Sequence, residues 1–202
     1  ILREYKPEYV AVCFDVGKKT LRQEKFADYK IQRPSMPVDL ISQIPIIKEI
    51  ISSFNIAILE LEGYEAEDVI ATIAHKLASR DLEVVIISGD KDILQLVDQN
   101  IRVVNPSKED AVFDRQAVVQ AFGVEPEKLK DLFALMGDKT DNIPGVTVIG
   151  EVTAKSLLQE FGSLENILKA PEKIKSDKVK DLIAHQRAQA ILSRDLATLD
   201  KN

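Results

Sequence analysis

Carboxylate side chains stand in four short groups that could bind metal ions together. In chain order the groups are Asp15, then Glu65, Glu67 and Asp68, then Asp90 and Asp92, and finally Asp138 and Asp141. Carboxylates that are crowded together repel one another, so they either take up protons or bind cations. Ligand sets made only of oxygen suit Mg²⁺ or Mn²⁺ better than Zn²⁺. A cluster that holds two such ions about 4 Å apart can promote attack on a phosphodiester, which indicates nuclease chemistry.

Each group also has an ordinary structural explanation. Acidic residues in the first turn of a helix meet the positive end of its dipole, which would account for residues 65–68. Asp92 is a candidate helix cap, Asp90 a candidate turn residue, and residues 138–141 could form a polar loop. Taken singly, only the GDKD segment at 89–92 favours a site. The four groups together favour one, because capping does not require carboxylates beside glycines at strand ends.

Basic residues form a second constellation directly after Asp15. Between residues 18 and 33 six cations face only two acids, and Phe26 and Tyr29 lie among them. The cations are Lys18, Lys19, Arg22, Lys25, Lys30 and Arg33. Cations beside aromatic rings suit a nucleic-acid backbone and its unstacked bases. A solvated charged loop is the alternative, and the position next to Asp15 favours nucleic-acid binding.

Apolar runs of strand length alternate with segments of helical period in the first half of the chain. The candidate strands are residues 9–14, 56–61, 83–88 and 101–104, and helical stripes cover residues 40–54 and 69–77. This alternation predicts an α/β fold with a mainly parallel sheet covered by helices. Three of the carboxylate groups follow candidate strands, so they should meet at the edge formed by the carboxyl ends of those strands.

The second half of the chain lacks the strand pattern. Its periodic segments are all helical, and they cover residues 117–122, 129–136, 152–161 and 179–192. A turn rich in glycine and proline lies between two of these helices, at residues 142–150. We therefore predict two domains: an α/β domain over residues 1–110 and an all-helical domain over residues 111–202.

The composition excludes several classes of protein. With 202 residues, of which 45% are apolar and 30% charged, the chain can bury a core and does not have a disordered composition. No apolar run reaches the length of a membrane span, so we expect no membrane partner. The lone cysteine, Cys13, lies in an apolar run, which indicates a reducing, cytoplasmic environment.

The acidic total needs an explanation if the partner is a nucleic acid. The net charge is −6, from 33 acidic and 27 basic residues. Eight of the acidic residues belong to the four carboxylate groups, and the remaining 25 are balanced by the basic residues. Once those groups hold divalent cations they attract phosphate, so the low net charge is compatible with DNA binding.

Several longer segments of the chain are recognisable. They read FDVGKKTLRQEKFADYKIQRP, GYEAEDVIA, SGDKDILQLV, LMGDKTDNIPGV and IGEVTAKSLLQEFGSLENI, and AQAILSRDLATL follows near the end. In order and spacing they resemble the 5′ nuclease domain of bacterial DNA polymerase I, within the flap endonuclease family. The resemblance covers nearly the whole chain. It implies a PIN-like (Rossmann-like) parallel-sheet core with a basic arch over residues 18–40, joined to a helix-three-turn-helix region that contains a helix-hairpin-helix.

The resemblance also implies how the carboxylates divide between metal ions. Two or more divalent ions, Mg²⁺ or Mn²⁺, are expected. The first would be held by Asp15, Glu65 and Glu67, and the second by Asp68, Asp90, Asp92, Asp138 and Asp141. The first ion would generate the attacking hydroxide.

DNA contacts follow from the same resemblance. The expected contacts are Arg22, Tyr29, Lys30, Arg33, Gly145 and Gly150. Among them Lys30 and Arg33 would be catalytic, because they would grip the scissile phosphate and offset its charge in the transition state. The two glycines would let backbone N–H groups approach a duplex phosphate at a helix N-terminus. A K⁺ ion would be held by backbone carbonyls around residues 142–148.

Family members cut the 5′ strand of DNA at flaps, nicks and duplex ends. We therefore expect a monomeric 5′→3′ exonuclease and flap endonuclease of replication and repair, located in the bacterial cytoplasm at the nucleoid. Its substrate would be DNA or an RNA primer on DNA, its products would carry a 5′-phosphate and a 3′-hydroxyl, and a polymerase would be fused to it in the natural protein.

An alternative function rests on the beginning of the chain. The family starts with a strand that ends in Asp-Gly and supplies another carboxylate to the first metal, and no such segment precedes residue 1 here. We therefore expect an N-terminally truncated fragment, and a non-cleaving DNA-binding module of the same fold is the alternative. A metal-binding regulatory domain without a nucleic-acid partner is less favoured, because the basic arch and the hairpin glycines argue against it.

Three residues depart from the family pattern. Val148 stands where a glycine is usual and Val152 where a lysine is usual, and both changes bear on how the hairpin would contact phosphate and K⁺. Glu67 replaces the commoner aspartate with a longer carboxylate that could still reach a metal ion.

Overall fold

Five strands form within residues 2–79, 81–108 and 111–202, the ranges that the computed structural model describes. They are β1 (Ala11–Cys13), β2 (Ala57–Leu59), β3 (Val84–Ile87), β4 (Ile101–Asn105) and β5 (Ala111–Phe113). All four predicted strands are present: the first three are shorter than their apolar runs, and β4 is one residue longer than predicted. β5 was not predicted from the sequence, because three residues carry too little periodic pattern to be recognised.

The remaining regular structure is helical. The α-helices are α1 (Leu2–Tyr5), α2 (Leu21–Lys25), α3 (Val38–Ser53), α4 (Ala66–Leu77), α5 (Arg115–Phe122), α6 (Leu129–Met136), α7 (Glu151–Phe161), α8 (Leu164–Lys169), α9 (Asp177–His185) and α10 (Arg187–Ala197). The helix predicted over residues 179–192 is in fact two helices. They are separated by Gln186, which leaves the helical conformation and accepts a hydrogen bond from Thr147 N–H at 2.8 Å. Within the described ranges none of the helices is both long and apolar enough to cross a membrane.

The strands belong to two small sheets rather than one. β1 pairs in parallel with β2, and β3 pairs in parallel with β4, whose other edge carries the antiparallel β5. No ladder of the described residues joins the two sheets. Helix α4 contacts both β1 and β3 and so bridges them. The predicted α/β class with mainly parallel strands is confirmed, although the single sheet that we expected is divided.

The hydrophobic core centres on α6. Leu129, Leu132, Phe133 and Leu135 are each at most 1% exposed, because apolar residues fill nearly every side of this helix. Helix α6 packs against α10 and α7, and the Phe133 ring meets Phe122 edge to face with centroids 6.3 Å apart. The loop that follows α6 is therefore anchored in the best-packed part of the molecule.

Burial is uneven along the chain. Among the described residues only Tyr29, Ala71 and Ala74 are buried apolar residues that precede Ile86. Helix α3 has no buried residue, and it leaves several large apolar side chains exposed, including Val38 at 80%. The described residues before β3 are thus much less buried than the rest of the chain.

Candidate active site

Three buried aspartates form the centre of the candidate site. One carboxylate oxygen from each of Asp92, Asp138 and Asp141 lies within 4.8 Å of the other two. Burial raises the pKa of Asp92 to about 8, and the charges of Asp90 and Asp141 add to the rise. Asp92 Oδ1 is buried and accepts no hydrogen bond from any described residue. A buried carboxylate oxygen without a partner is unfavourable, and a divalent cation would satisfy it.

Asp92 owes its position to the turn after β3. The Asp90 carboxylate accepts the Asp92 N–H at 2.8 Å, and Asp90 N–H donates to Ser88 Oγ at 3.0 Å. Short polar side chains commonly bond to nearby backbone in this way, and such bonds favour turns over continued strand. Both aspartates therefore lie just past the carboxyl end of a parallel strand, as the sequence predicted.

Asp138 and Asp141 lie on a closed loop after α6. Asp138 and Ile143 exchange backbone hydrogen bonds of 2.9 and 2.8 Å. At the base of the loop the backbones of Gly137 and Gly145 are in contact, so that a Cβ on Gly145 would lie 2.2 Å from Gly137 N. No side chain fits in that space. The loop therefore presents both carboxylates from a fixed backbone.

Lys30 and Arg33 reach the site from the basic arch. Arg33 Nη2 donates to Asp141 Oδ1 at 2.6 Å. Lys30 Nζ donates to Glu65 Oε1 at 2.8 Å and lies 3.7 Å from Asp141 Oδ2. The Lys30 backbone adopts a left-handed φ of 57°, and its N–H donates to the Asp141 carbonyl at 2.9 Å. Both cations thus border the carboxylates, and their catalytic role remains a prediction.

Lys91 is a third cation at the site, and no role for it was predicted from the sequence. Its Nζ lies 2.6 Å from Asp138 Oδ2 and 5.5 Å from the centroid of the Phe133 ring. The available signal was its position between Asp90 and Asp92, because a residue flanked by two site residues in a tight turn must itself lie close to the site.

A further group of carboxylates lies at the start of α4. Asp15 Oδ1 accepts the Ala66 N–H at 2.8 Å, which joins the end of β1 to the first turn of this helix. Burial raises the pKa of Glu67, the charges of Asp15 and Asp90 raise it further, and Lys30 opposes them. Glu67 and Asp90 line the same small cleft, and Asp15 bonds the residue next to Glu67, so the three carboxylates lie near one another, as the sequence predicted.

Glu65 lies between the two carboxylate groups. Its contact with Tyr29 shows that the prediction for Tyr29 was wrong. Glu65 is buried and accepts hydrogen bonds from Lys30 Nζ at 2.8 Å, from Arg22 Nη1 at 3.2 Å and from the Tyr29 hydroxyl at 3.2 Å. Tyr29 was expected to contact DNA. Its side chain is instead buried, with its hydroxyl also 3.3 Å from Asp141 Oδ2, so the ring has no face available to a base.

The predictions for Asp68 and Arg22 also disagree with the structure. Both side chains are buried and form a bidentate ion pair of 2.5 and 2.7 Å. Arg22 donates further to the carbonyls of Leu196 and Thr198, and Asp68 accepts the Asp200 N–H at 2.9 Å. Burial raises the pKa of Asp68, but the ion pair outweighs burial and holds the pKa below its ordinary value. The Arg22–Asp68 contact is thus a buried ion pair in this structure, which disfavours both the predicted metal binding by Asp68 and the predicted phosphate contact of Arg22.

The two hairpin glycines differ in their availability. Gly145 is buried, and its N–H donates to Ser193 Oγ at 3.0 Å, so the predicted phosphate contact is contradicted. Gly150 is exposed at the N-terminus of α7, with open space around its Cα, and its predicted role remains a prediction. Val148, at a usual glycine position, has a left-handed φ of 77° and is mostly exposed. Val152 is 84% exposed.

Two cavities flank the Arg22–Asp68 pair. The larger, about 860 Å³, lies along α2 and residues 198–202 and does not contain the three clustered aspartates. The smaller, about 10 Å³, has room for one water-sized group. Its polar lining includes Tyr29, Lys30, Glu65, Glu67, Asp90 and Asp92. The small cleft is therefore lined by carboxylates from the α4 group and from the turn after β3.

Two family profiles together span the whole sequence. The profile of the 5′-3′ exonuclease N-terminal resolvase-like domain matches residues 1–123, and that of the 5′-3′ exonuclease C-terminal SAM fold matches residues 124–202. The chain belongs to the 5′-3′ exonuclease family. This membership confirms the resemblance drawn from the sequence motifs, together with the fold class of an α/β core followed by a helical region.

Relatives in this family are longer than the chain. The 5′-3′ exonuclease of Aquifex aeolicus (strain VF5) is 48% identical over 177 residues, which are 88% of this chain and 61% of that protein. DNA polymerase I of Bacillus caldotenax is 40% identical over 205 residues, which cover 100% of this chain and 23% of the polymerase. The chain thus spans less than two thirds of the length of either relative.

Solved structures show the same fold at lower sequence identity. A T5 5′-exonuclease superposes with a TM-score of 0.82 at 21% identity, over 97% of this chain and 76% of that one. Another T5 5′-exonuclease structure, described with bound divalent zinc ions, has a TM-score of 0.79 at 23% identity, again over 97% and 76%. The catalytic core of Rad2 in complex with DNA substrate has a TM-score of 0.56 at 18% identity, over 94% and 65%.

Proposed function

We propose that this chain is a metal-dependent, structure-specific 5′ nuclease that hydrolyses DNA phosphodiesters at flaps, nicks and 5′ ends. The observation that carries the proposal is the buried cluster of Asp92, Asp138 and Asp141, bordered by Lys30 and Arg33. Asp92 Oδ1 in this cluster is buried without a hydrogen bond from the described residues, a metal cation would supply it with a partner, and Lys30 and Arg33 are suited to bind a phosphate. The names of the relatives, 5′-3′ exonuclease and DNA polymerase I, favour cleavage over the alternative of a non-cleaving DNA-binding module.

Divalent cations fit the donor set, because every donor is a carboxylate oxygen and Asp92 Oδ1 is buried with neither a hydrogen bond nor an ion pair to the described residues. Asp68 leaves the set because Arg22 and backbone N–H groups occupy it. The remaining residues would hold Mg²⁺ or Mn²⁺ in two groups. The first group is Asp15, Glu65 and Glu67, and the second is Asp90, Asp92, Asp138 and Asp141. When bound, the ions would activate a water molecule and stabilise charge on the phosphate.

Lys30 and Arg33 supply the chain's own contribution to phosphate binding. They donate to carboxylates in this structure, and a scissile phosphate would offer the same N–H groups new oxygen acceptors. The Lys30 side chain is only 12% exposed, so its Nζ is held in place. The guanidinium of Arg33 can bind two phosphate oxygens at once. Both cations would stabilise the negative charge that develops on the phosphate during hydrolysis.

The helical region would hold the duplex. Gly150 at the start of α7 offers an exposed backbone N–H for a phosphate. A K⁺ ion at residues 142–148 belongs to the same proposal. The carbonyls of Ile143, Gly145 and Val146 each already accept one hydrogen bond, so they would contact K⁺ through their second lone pairs.

The wider setting follows from the relatives. We propose an α/β domain over residues 1–110, with the basic arch at residues 18–40, and a DNA-binding domain over residues 111–202. The substrate would be a DNA flap, nick or end, or an RNA primer on DNA, in the bacterial cytoplasm at the nucleoid. Relatives named DNA polymerase I support fusion to a polymerase, and a monomer is the expected state.

A cleavage assay tests the proposal. The chain is incubated with a 5′-flap duplex labelled at the 5′ end, with Mg²⁺, with Mn²⁺ or with EDTA. We expect metal-dependent release of the labelled 5′ strand, and no release by the Asp92→Asn variant, which controls for contaminating nucleases. Flap binding without cleavage in either metal would support the non-cleaving module instead. Failure both to bind and to cut the flap would overturn the proposal.

A further inference from the structure

Lys91 is a cation at the site whose side chain is partly open to solvent, as is that of Arg33 on the neighbouring Asp141. Its Nζ lies 2.6 Å from Asp138 Oδ2, and its side chain is 35% exposed, whereas that of Lys30 is 12% exposed. No other basic side chain in the described ranges contacts the Asp138 carboxylate. A lysine ammonium on a flexible four-carbon stem can leave one partner for water with little rearrangement.

The backbone around Lys91 is fixed, whereas its side chain is partly exposed. Asp90 on one side and Asp92 on the other are joined by the hydrogen bond from Asp92 N–H to the Asp90 carboxylate, 2.8 Å long. The ammonium also lies 5.5 Å from the Phe133 ring centroid, over a side chain of the core. Lys91 is thus directed at the cluster by its own turn and by α6.

A divalent cation at the cluster would compete with this ammonium. One carboxylate oxygen from each of Asp92, Asp138 and Asp141 lies within 4.8 Å of the other two, so a cation that binds all three reaches the carboxylate that Lys91 now contacts. A divalent cation and a lysine ammonium on the same carboxylate repel each other strongly in a buried site. One of them must leave the Asp138 carboxylate, and the partly exposed Lys91 can do so.

We propose that Lys91 is a positioning residue: it holds Asp138 in place as an internal counter-cation and is exchanged for a divalent metal ion when that ion binds. This role rests on the proposed metal-dependent function. It means that the apparent metal affinity of the site is set partly by a lysine that is not itself a ligand.

The first test uses the natural sequence. Reductive methylation of lysines, read by peptide mass spectrometry, is compared with and without Mn²⁺. We expect the modification rate of Lys91 to rise several-fold with Mn²⁺, because its ammonium is released to water. Lys139 is the matched control: it lies in the same loop as Asp138, is exposed, and should react equally under both conditions. An unchanged rate at Lys91 would overturn the inference.

The second test uses variants without DNA, with free Mn²⁺ measured by electron paramagnetic resonance. Lys91→Met should bind one Mn²⁺ about tenfold more tightly, because a competing charge is gone. Lys91→Arg, which keeps the charge, and Lys139→Met should stay within about twofold of the natural protein. Equal or weaker binding by a folded Lys91→Met protein would refute the role of Lys91. If Lys91→Met does not fold, the methylation result decides. Absence of Mn²⁺ binding by the natural protein would instead contradict the proposed function.

Discussion

Asp92 is held in the interior without the partners that a buried carboxylate usually has. Its nearest charged neighbours in the cluster, Asp138 and Asp141, are also anions, and its Oδ1 accepts no hydrogen bond from the described residues. Strongly perturbed carboxylates of this kind concentrate at functional sites. At the scale of single residues, the metal-free protein is destabilised at the positions that equip it to bind cations.

Replacing Asp92 with asparagine should stabilise the metal-free protein. The folded-state pKa of about 8 lies above the ordinary 3.8, so the folded state holds the proton more tightly than the unfolded state. The free energy of unfolding of the natural protein should therefore fall as pH rises from about 4 to 8. At pH 8 we expect Asp92→Asn to be more stable by roughly 1–3 kcal/mol.

Urea unfolding in EDTA across this pH range measures the effect. The difference in unfolding free energy between variant and natural protein should grow with pH. Titrating groups that both proteins share cancel in this difference, so the growth reports on Asp92. Added Mg²⁺ should stabilise the natural protein and leave the variant unchanged. Parallel pH profiles for the two proteins would show that Asp92 is not the group responsible.

Val148 is strained for a different reason. A β-branched residue with a φ of 77° brings its side chain close to its own backbone, and being mostly exposed, it gains little burial in return. Val148→Gly should raise the free energy of unfolding by about 0.5–1 kcal/mol, as relief of strain exceeds the added flexibility of glycine. The control is Val152→Gly, a still more exposed valine within α7, which should lower the free energy of unfolding by about 1 kcal/mol. Equal effects of the two changes on the urea midpoint would refute this account.

At the scale of elements, a few contacts far apart in sequence hold the site together. The Arg22–Asp68 pair joins α2 to α4, and the guanidinium also reaches the carbonyls at the end of α10 and beyond. The contact between Gly137 and Gly145 closes the loop that carries Asp138 and Asp141. These contacts join the elements that carry the carboxylates, so they help to determine where the carboxylates lie.

Loss of the Arg22 guanidinium should therefore act on stability. Arg22→Met leaves Asp68 buried without its partner, which should lower the free energy of unfolding by about 3–5 kcal/mol. Arg115→Met is the matched control, because the ion pairs of Arg115 with Glu125 and Glu127 are exposed and should contribute under about 1 kcal/mol. Chemical unfolding measures both. If the Arg22→Met protein is stable but binds DNA more weakly, the result would instead support the phosphate contact that the sequence predicted for Arg22.

Alanine at Gly145 should disturb the loop. Its Cβ would lie 2.2 Å from Gly137 N, so one backbone must move, and we expect a loss of more than about 2 kcal/mol in unfolding stability. Affinity for Mn²⁺ should fall as well, because Asp138 follows Gly137 directly. Gly150→Ala, with open space around its Cα, should cost less than about 1 kcal/mol and leave Mn²⁺ affinity unchanged. A Gly145→Ala protein with natural stability would contradict the close approach.

At the scale of the whole molecule, local sequence patterns predicted the strands, most of the helices and the residues at the strand ends. Apolar runs and helical stripes located four strands and most helices, because side-chain period reports which face is buried. The aspartates at the ends of β1 and β3 could likewise be placed, since parallel strands bring their carboxyl ends together.

Pairings across long separations could not be predicted. Arg22 and Asp68 are 46 residues apart, and the Tyr29 hydroxyl meets Asp141 across 112 residues. Nothing in the sequence near Tyr29 distinguishes a ring that stacks on a base from one that is enclosed beneath a carboxylate. The role of Gly145 was missed for the same reason, because its neighbour Gly137 and its partner Ser193 lie on other elements.

The uneven burial along the chain has a consequence for how the molecule opens. With few buried apolar residues before Ile86 and α3 lying on the surface, backbone amides of α3 should exchange with deuterium through small local fluctuations. Amides of α6 and α10 should exchange only on global unfolding. Cooperative protection would thus include Asp138, Asp141 and Lys30, whose N–H donates to the Asp141 carbonyl, but not α3, so the site would stay rigid while the helix beside it samples open states. Uniform protection in hydrogen exchange would refute this division.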